Sequence, residues 1–241
     1  MCTVSWARTR EGYGLLFNRD ELKNREAALE PEEHVSNGIR YLAPIDGRHG
    51  GTWILVNEFG LTLCLLNHYP LSYVEEAREH PSRGNLVVGC AGSSGAKEAA
   101  QSLERFSLDE YPPFHLIAVS RTEEHLLTWD GGRLAHRKTG EWSPPLTSSS
   151  FETEGVVSYR MDAYRRLVGP QDPEIETLEG FHRQHEPSKA AYSVLMFRPD
   201  ACTHSLTRID VTAAKAMLHY EPQAWMSATE VTIDRELDLR N

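Results

Sequence analysis

The residue best suited to chemistry in this sequence is Cys2, which directly follows Met1. Removal of Met1 would expose the α-amine of Cys2. An α-amine titrates at about pH 7.7–8.0, so it can accept the thiol proton as an internal base. The resulting thiolate is a strong nucleophile at neutral pH. The alternative is that Cys2 is a small buried residue at the start of an edge strand.

Two other patterns give weaker chemical signals. The glycine-rich segment 47–51 lacks the spacing of a P-loop and precedes a strand, so we interpret it as a flexible lip rather than a phosphate site. His182 and His185 lie three residues apart on a predicted helix, without the carboxylate or cysteine partners of a zinc site. We therefore predict no metal site and expect a solvated helix face there.

Alternating apolar residues predict the strands that would position Cys2. Residues 2–7 and 13–17 form one predicted hairpin, and residues 53–57 and 61–66 form a second. The acid-rich stretch 20–33 is expected to hold a short helix or an ordered loop. Helical spacing predicts helices over 84–89, with Ser82 as N-cap, and over 96–106.

The second half of the chain repeats this order of strands and helices. Strands are predicted over 114–120, 125–129 and 133–137 and near Leu146, followed by helices over 157–168 and 173–185. Strands over 192–198, 203–211 and 217–220 close the chain. Segregated hairpins and helices favour an α+β fold. We predict a four-layer αββα sandwich of two stacked, mainly antiparallel sheets flanked by helices, as a single domain over residues 1–241.

Composition excludes several classes of function. Lys and Arg total 25 against 35 acidic residues, and the net charge of −10 opposes binding to nucleic acid or anionic lipid. No apolar run is long enough for a transmembrane segment. Four cysteines without paired spacing fit a reducing compartment, so we expect a soluble, cytoplasmic protein. These are Cys2, Cys64, Cys90 and Cys202.

Three segments resemble choloylglycine hydrolases and penicillin V acylases. These are N-terminal-nucleophile (Ntn) hydrolases that cut non-peptide amide bonds with an N-terminal cysteine. The segments are Met1-Cys2-Thr3, the hairpin from Asn57-Glu58-Phe59-Gly60-Leu61 to Leu66-Asn67, and Ser158-Tyr159-Arg160 with Ala163-Tyr164. The resemblance implies that Cys2 is the nucleophile, that Asn67 helps to form the oxyanion hole, and that Arg160 lies beside the nucleophile.

A second resemblance is more specific. Asn18-Arg19-Asp20-Glu21 is the signature of the NRDE family, also called the transport and Golgi organisation 2 family. Gly51-Thr52-Trp53 and Ser82-Arg83-Gly84 are also similar to that family. The resemblance spans the chain and is densest over residues 1–90. It implies the Ntn fold and a link to haem and lipid (acyl-CoA) handling, with no settled reaction.

The two resemblances together imply a set of site residues. Besides Cys2, Asn67 and Arg160, the predicted catalytic residues are Arg19 and Asp20. The residues expected to contact substrate are Asn18, Glu21, Trp53, His68 and Ser148. Ser148 stands where the acylases carry an asparagine, and a hydroxyl is a weaker oxyanion donor than a well-aimed amide.

Some of these assignments have alternatives. An ungapped alignment puts Asn18 on the acylase arginine and Glu21 on the acylase aspartate, whereas a shift of one residue puts Arg19 on the arginine. Each residue also has a purely structural explanation. Asn67 could satisfy backbone groups at a strand end, Arg160 could form a surface ion pair, and the acids could begin a helix.

The leading hypothesis is a cysteine amidohydrolase that acts on a non-peptide carbon–nitrogen bond of a small-molecule amide and requires no cofactor. In this scheme Arg160, Arg19 and Asp20 position the thiolate, the amine and the substrate. The alternative is a carrier that binds haem or an acyl-CoA in the same cleft without turnover. A pure interaction scaffold is the third choice, because it would not need these polar residues at strand ends.

Overall fold

The computed structural model describes residues 2–73, 79–170, 173–224 and 231–240. Within these ranges the strands form two antiparallel sheets. The strands of sheet A are β1 (Cys2–Arg8), β2 (Tyr13–Leu22), β10 (Leu146–Ser148), β11 (Ala201–Val211), β12 (Lys215–Pro222) and β13 (Ile233–Asp238). Their spatial order is β10-β1-β2-β11-β12-β13, so β1 lies between β10 and β2.

Sheet B contains the middle of the chain. Its strands are β3 (Leu29–Ser36), β4 (Ile39–Ile45), β5 (Ile54–Asn57), β6 (Thr62–Asn67), β7 (Phe114–Val119), β8 (Glu124–Trp129) and β9 (Leu134–Arg137). They lie side by side in sequence order. The helices are α1 (Gly84–Gly89), α2 (Ala96–Leu103), α3 (Thr153–Leu167) and α4 (Ile175–His182). No helix in the described ranges is both long enough and apolar enough to span a membrane.

Apolar cores between adjacent layers hold the four layers together. In β2, Leu15 and Phe17 pack into the core between the two sheets, whereas Leu16 packs against α3 and α4. In β6, Cys64 faces the core between the sheets and Leu63 faces α1 and α2. Alternate residues thus enter different cores, and burial on both faces produces the near-continuous apolar strands of the sequence. The order of layers is αββα, as predicted.

Both predicted hairpins are confirmed, but two other segments differ from expectation. The stretch 20–33 contains no helix: β2 continues through Leu22, paired with β11, and β3 begins at Leu29. Strand β3 is an edge strand of sheet B, and its acids Glu30, Glu32 and Glu33 lie exposed. These exposed acids give the stretch a composition that resembles a helix. Residues 192–198 form a loop with an isolated bridge rather than the predicted strand. Strands β4 and β13 were not predicted.

The helices begin and end within a few residues of their predicted bounds. Arg83 rather than Ser82 is the N-cap of α1, although the Ser82 hydroxyl still accepts a hydrogen bond from the backbone N–H of Gly84 at 3.3 Å. Helix α3 begins at Thr153, four residues before the predicted start. This extension starts the helix directly after a residue with left-handed backbone, Glu152.

A buried hydrogen-bond chain fixes α4 to sheet A. The Nδ1 atom of His182 lies 2.6 Å from Oδ1 of Asn18, and its Nε2 lies 2.8 Å from Oγ of Ser5. An amide oxygen can only accept, so Nδ1 carries the proton and Nε2 accepts from Ser5. Burial lowers the pKa of His182 to about 3. The prediction of a solvated helix face at His182 is therefore wrong, because its ring is fully buried.

Candidate active site

Cys2 lies at the start of β1, the second strand of sheet A, between β10 and β2. Its cross-strand neighbours are Ser148 in β10 and Arg19 in β2. The side chain is buried, yet it lines a cavity of about 430 Å³ at one end of the two sheets. Burial raises the pKa of the Cys2 thiol, and the charge of Asp20 acts in the same direction. The thiol is therefore protonated at neutral pH in this environment and needs a base before it can attack.

A fully buried ion pair lies beside Cys2. The Nη2 atom of Arg160, on α3, is 3.0 Å from Oδ2 of Asp20, on β2, and both side chains are 0% exposed. The other carboxylate oxygen of Asp20 accepts from the hydroxyl of Thr203 at 2.6 Å. A buried carboxylate is tolerated only when it is paired and hydrogen-bonded, and both conditions are met here.

Arg160 also connects α3 with β1, β10 and the loop after α4. Its Nη1 donates to Oγ1 of Thr3 at 2.9 Å and to Oγ1 of Thr147 at 3.2 Å. Its Nε donates to the backbone carbonyl of Tyr192 at 3.2 Å. Because Thr3 and Thr147 neighbour Cys2 and Ser148 in sequence, Arg160 fixes the strand ends on either side of the thiol. The alternative of a surface ion pair is excluded for Arg160.

Arg19 faces the other side of β2 and contacts sheet B. Its guanidinium lies 4.3 Å from the ring centroid of Trp53, a cation–π geometry. Its Nη2 atom is 3.2 Å from Oδ2 of Asp46 and 3.7 Å from Oε2 of Glu21. Arg19, Trp53 and Glu21 all line the cavity. The cation is therefore held in place between two acids and an aromatic ring.

Asp46 restrains the glycine-rich lip, segment 47–51, through hydrogen bonds. This carboxylate accepts from Arg25 at 2.9 Å and from the backbone N–H groups of Arg48 and His49 at 3.1 and 2.9 Å. Burial alone would raise the pKa of Asp46, but the hydrogen bond and charge of Arg25 hold it below the usual value. Gly50 has a φ of +69°, a conformation that favours glycine. Asp46 thus restrains the turn that forms one wall of the cavity.

Asn67 stands on another wall, at the end of β6. Its side chain is half-buried, and Nδ2 donates to the hydroxyl of Tyr69 at 3.2 Å. An amide nitrogen has two hydrogens, so a second donor remains for a ligand. The same wall includes His80 and Arg83. The cavity therefore combines a buried thiol, an amide donor and several cations with their counter-acids.

Comparison with known proteins assigns the family. The family model for Transport and Golgi organisation 2 matches residues 1–152, which is more than half of the chain. The chain belongs to the Transport and Golgi organisation 2 family. The matched part includes Cys2, Asn67 and Ser148 and ends before α3, which carries Arg160. A search of curated proteins found no match.

Solved structures show the fold of this family member. Penicillin V acylase from Agrobacterium tumefaciens aligns with a TM-score of 0.63 at 12% identity, covering 98% of this chain and 86% of the acylase. The N-acylethanolamine-hydrolyzing acid amidase orthologue of Caenorhabditis elegans gives 0.56 at 13%, covering 87% and 92%. A conjugated bile acid hydrolase mutant from Clostridium perfringens gives 0.54 at 12%, covering 100% and 97%. The predicted Ntn-hydrolase fold is confirmed.

Most of the residues expected at the site of this Transport and Golgi organisation 2 protein meet at the cavity. Cys2, Arg19, Asp20, Glu21, Trp53 and Asn67 line it. Arg160 lies behind the lining and reaches it through Asp20. Arg19 is the cross-strand partner of Cys2, and Asp20 is the ion-pair partner of Arg160.

Three residues expected to contact substrate lie elsewhere. Asn18 points away from the cavity, and its amide is fully used by His182 and by the carbonyl of Val194. Because side chains alternate along β2, Asn18 lies on the face of Asp20 rather than that of Arg19, and its hydrogen bonds direct its amide to α4 and the loop after it. His68 lies outside the lining, with its ring 4.3 Å from that of His115. Ser148 also lies outside it, beside Cys2, with a buried hydroxyl that has no hydrogen-bond partner among the described residues.

Sequence reasoning missed three cavity residues. Arg25 and Asp46 form the ion pair that closes the lip, and His80 lines the wall near Asn67. No local pattern identifies them, because Arg25 falls in the stretch that resembled a helix and the other two lie outside the strands. No group of three or more His, Cys, Asp or Glu residues in the described ranges is arranged to hold a metal ion.

Proposed function

We propose that this protein is an Ntn amidohydrolase that cleaves a linear, non-peptide carbon–nitrogen amide bond with Cys2 as nucleophile. One observation carries the proposal: a buried cysteine at the second position of the chain lines a 430 Å³ cavity beside a fully buried Asp20–Arg160 pair. Strand pairing places Arg19 and Ser148 on either side of this cysteine.

The chemistry begins with the loss of Met1, which leaves Cys2 with a free α-amine. The amine takes the thiol proton, and the thiolate attacks the amide carbonyl carbon, forming a carbon–sulfur bond and a tetrahedral oxyanion. Collapse of this intermediate breaks the carbon–nitrogen bond, and the α-ammonium returns its proton to the leaving amine. Water, activated by the same α-amine, then hydrolyses the thioester to release the acid and regenerate the thiol.

Neighbouring groups support each role. The free hydrogen on Nδ2 of Asn67 is suited to donate to the oxyanion, and one such donor typically contributes about 10²–10³ in rate. The unpartnered hydroxyl of Ser148 lies across from Cys2 in the sheet and can accept from the α-amine. Arg160 holds Asp20 and the start of β1 in position without lining the cavity, so we assign it a positioning role.

The similar structures add support for an amide as substrate. These structures belong to an acylase, an N-acylethanolamine-hydrolyzing acid amidase and a conjugated bile acid hydrolase. The bile acid hydrolase was studied as a C2A mutant, so that protein also carries a cysteine at its second position. At 12–13% identity these neighbours support amide hydrolysis as the class of reaction and do not identify a substrate.

Turnover of N-acyl amides tests the proposal. Wild type, Cys2→Ala and the matched control Cys202→Ala, which removes another buried thiol outside the cavity lining, are incubated with a panel of N-acyl amides and acyl-CoA thioesters. We expect amine release by wild type and by Cys202→Ala and none by Cys2→Ala. Absence of turnover in all three, together with saturable haem or acyl-CoA binding that survives Cys2→Ala, would favour the carrier instead.

A further inference from the structure

Two ring nitrogens in the cavity residues are buried and unpaired. Nε1 of Trp53 and Nε2 of His80 have no hydrogen-bond partner among the described residues, and both side chains line the cavity. The chemistry proposed at Cys2 uses neither of them. Buried polar atoms are nearly always hydrogen-bonded, so two such exceptions in one cavity point to a ligand that would satisfy them.

The two nitrogens have opposite hydrogen-bonding character. Nδ1 of His80 lies 3.0 Å from the carbonyl oxygen of Glu110. A carbonyl oxygen only accepts, so Nδ1 carries the hydrogen, and Nε2 of the neutral ring is an acceptor. The indole nitrogen of Trp53 is a donor and nothing else. Two residues that line the cavity therefore carry one donor and one acceptor that no other described residue uses.

The donor is held in a fixed position. The guanidinium of Arg19 stacks 4.3 Å from the ring centroid of Trp53, and Asp46 in turn binds Arg19 at 3.2 Å. A ring held by stacking loses little conformational freedom when it binds a ligand. His80 is similarly restrained by its bond to Glu110. Both atoms are thus arranged before any ligand arrives.

We propose that Trp53 and His80 form a substrate subsite for a neutral group that accepts one hydrogen bond and donates another, such as a hydroxyl or a carboxamide. Resting on the amidohydrolase function proposed above, this inference narrows the substrate to amides that carry such a group on the amine or the acyl side. A methyl group in its place leaves both nitrogens unpaired. A carboxylate satisfies Trp53 but has no hydrogen for His80.

Paired probes test the subsite. Two pairs of N-acyl amides differ only by replacing a hydroxyl with a methyl, one pair on the amine side and one on the acyl side. Turnover is measured with the wild-type protein, and affinity is measured by calorimetry with Cys2→Ala, in which no chemistry follows binding. We expect the hydroxyl member of at least one pair to be favoured by about tenfold or more in both measurements, since polar groups left unpaired on binding reduce affinity.

Single-residue variants then assign the preference to the two rings. His80→Phe and Trp53→Phe should each reduce the ratio of kcat/KM for the hydroxyl probe to kcat/KM for the methyl probe by about tenfold. His34→Phe is the matched histidine control, because His34 also contacts a backbone carbonyl and lies outside the cavity. Trp142→Phe is the matched indole control, since its Nε1 is also buried and unpartnered.

The outcomes separate the subsite from the reaction. Turnover of both members of each pair at equal rates overturns the subsite and leaves the amidohydrolase function standing. Selective binding to Cys2→Ala without turnover by the wild type supports the subsite and overturns the amidohydrolase function. Equal binding of hydroxyl and methyl probes, or selectivity unchanged in His80→Phe and Trp53→Phe, overturns the subsite.

Discussion

Replacing Arg160 with methionine tests the buried ion pair that supports the active site. The side chains of Arg160 and Asp20 are both 0% exposed and lie 3.0 Å apart. Without the guanidinium, the charge of Asp20 stays buried but loses its counter-ion, while the hydroxyl of Thr203 still donates to the carboxylate. Removing one partner of a buried pair costs about 3–5 kcal/mol. In a chain of this length each 1 kcal/mol lowers Tm by about 2–4 °C, so a fall of roughly 6–20 °C is expected.

The control lies on the same helix. Arg165 pairs with Asp162 at 2.7 Å, but these side chains are 69% and 64% exposed, so Arg165→Met should cost less than about 1 kcal/mol. The double variant Asp20→Asn, Arg160→Met should regain part of the loss, because no buried charge remains. Urea and thermal unfolding at pH 7 measure these effects. Equal destabilisation by Arg160→Met and Arg165→Met would refute the buried pair.

Three further predictions concern proton binding, thiol reactivity and catalysis. Burial lowers the pKa of His182 to about 3, so below pH 6.5 the unfolded chain binds a proton that the folded chain does not. The free energy of unfolding should therefore fall by about 2 kcal/mol more between pH 7 and pH 5 in the wild type than in His182→Gln, as urea titrations would show. Burial raises the pKa of the Cys2 thiol, so Cys2 should react slowly with iodoacetamide at pH 7 in chains that retain Met1 and faster in chains that have lost it. Cys90, with a pKa of about 12, should react slowly in both forms. Asn67→Ala should lower kcat by about 10²–10³ with little change in KM, measured by steady-state kinetics.

The central hairpins and the layer order could be predicted from the sequence because both faces of those strands are buried. Leu15, Leu16 and Phe17 are all fully buried, although they enter two different cores. Continuous apolar runs of this kind indicate that both faces of a strand are buried. Where local pattern and tertiary environment agree, as they do here, sequence reasoning gives the correct strands.

Edge strands and long-range contacts could not be predicted in this way. Strand β3 lies at the edge of sheet B, so its exposed glutamates carry no sign of a sheet. In the segment 192–198, apolar residues resemble a strand, yet the carbonyl of Val194 is taken by the side chain of Asn18. Such a contact joins residues 176 positions apart and leaves no trace in either local sequence.

The residues of the candidate site also divide into those that the sequence could predict and those that it could not. Family motifs predicted Cys2, Arg19, Asp20 and Asn67 as site residues, and all four line the same cavity. The same motifs suggested a ligand contact for Asn18, whose side chain instead anchors α4 through His182. The ion pair between Arg25 and Asp46, which restrains the lip, could be found only once the fold had brought these two segments together.

Mass spectrometry of the N-terminal peptide after incubation with N-acyl amides tests the central claim most directly. The account predicts a peptide that begins at Cys2 and carries one acyl group on its sulfur, accumulating when the thioester forms faster than water removes it. Denaturation with acid during turnover would trap this species. Active protein that retains Met1, or turnover with an acyl group on a residue other than Cys2, would contradict the assignment of Cys2 as an N-terminal nucleophile.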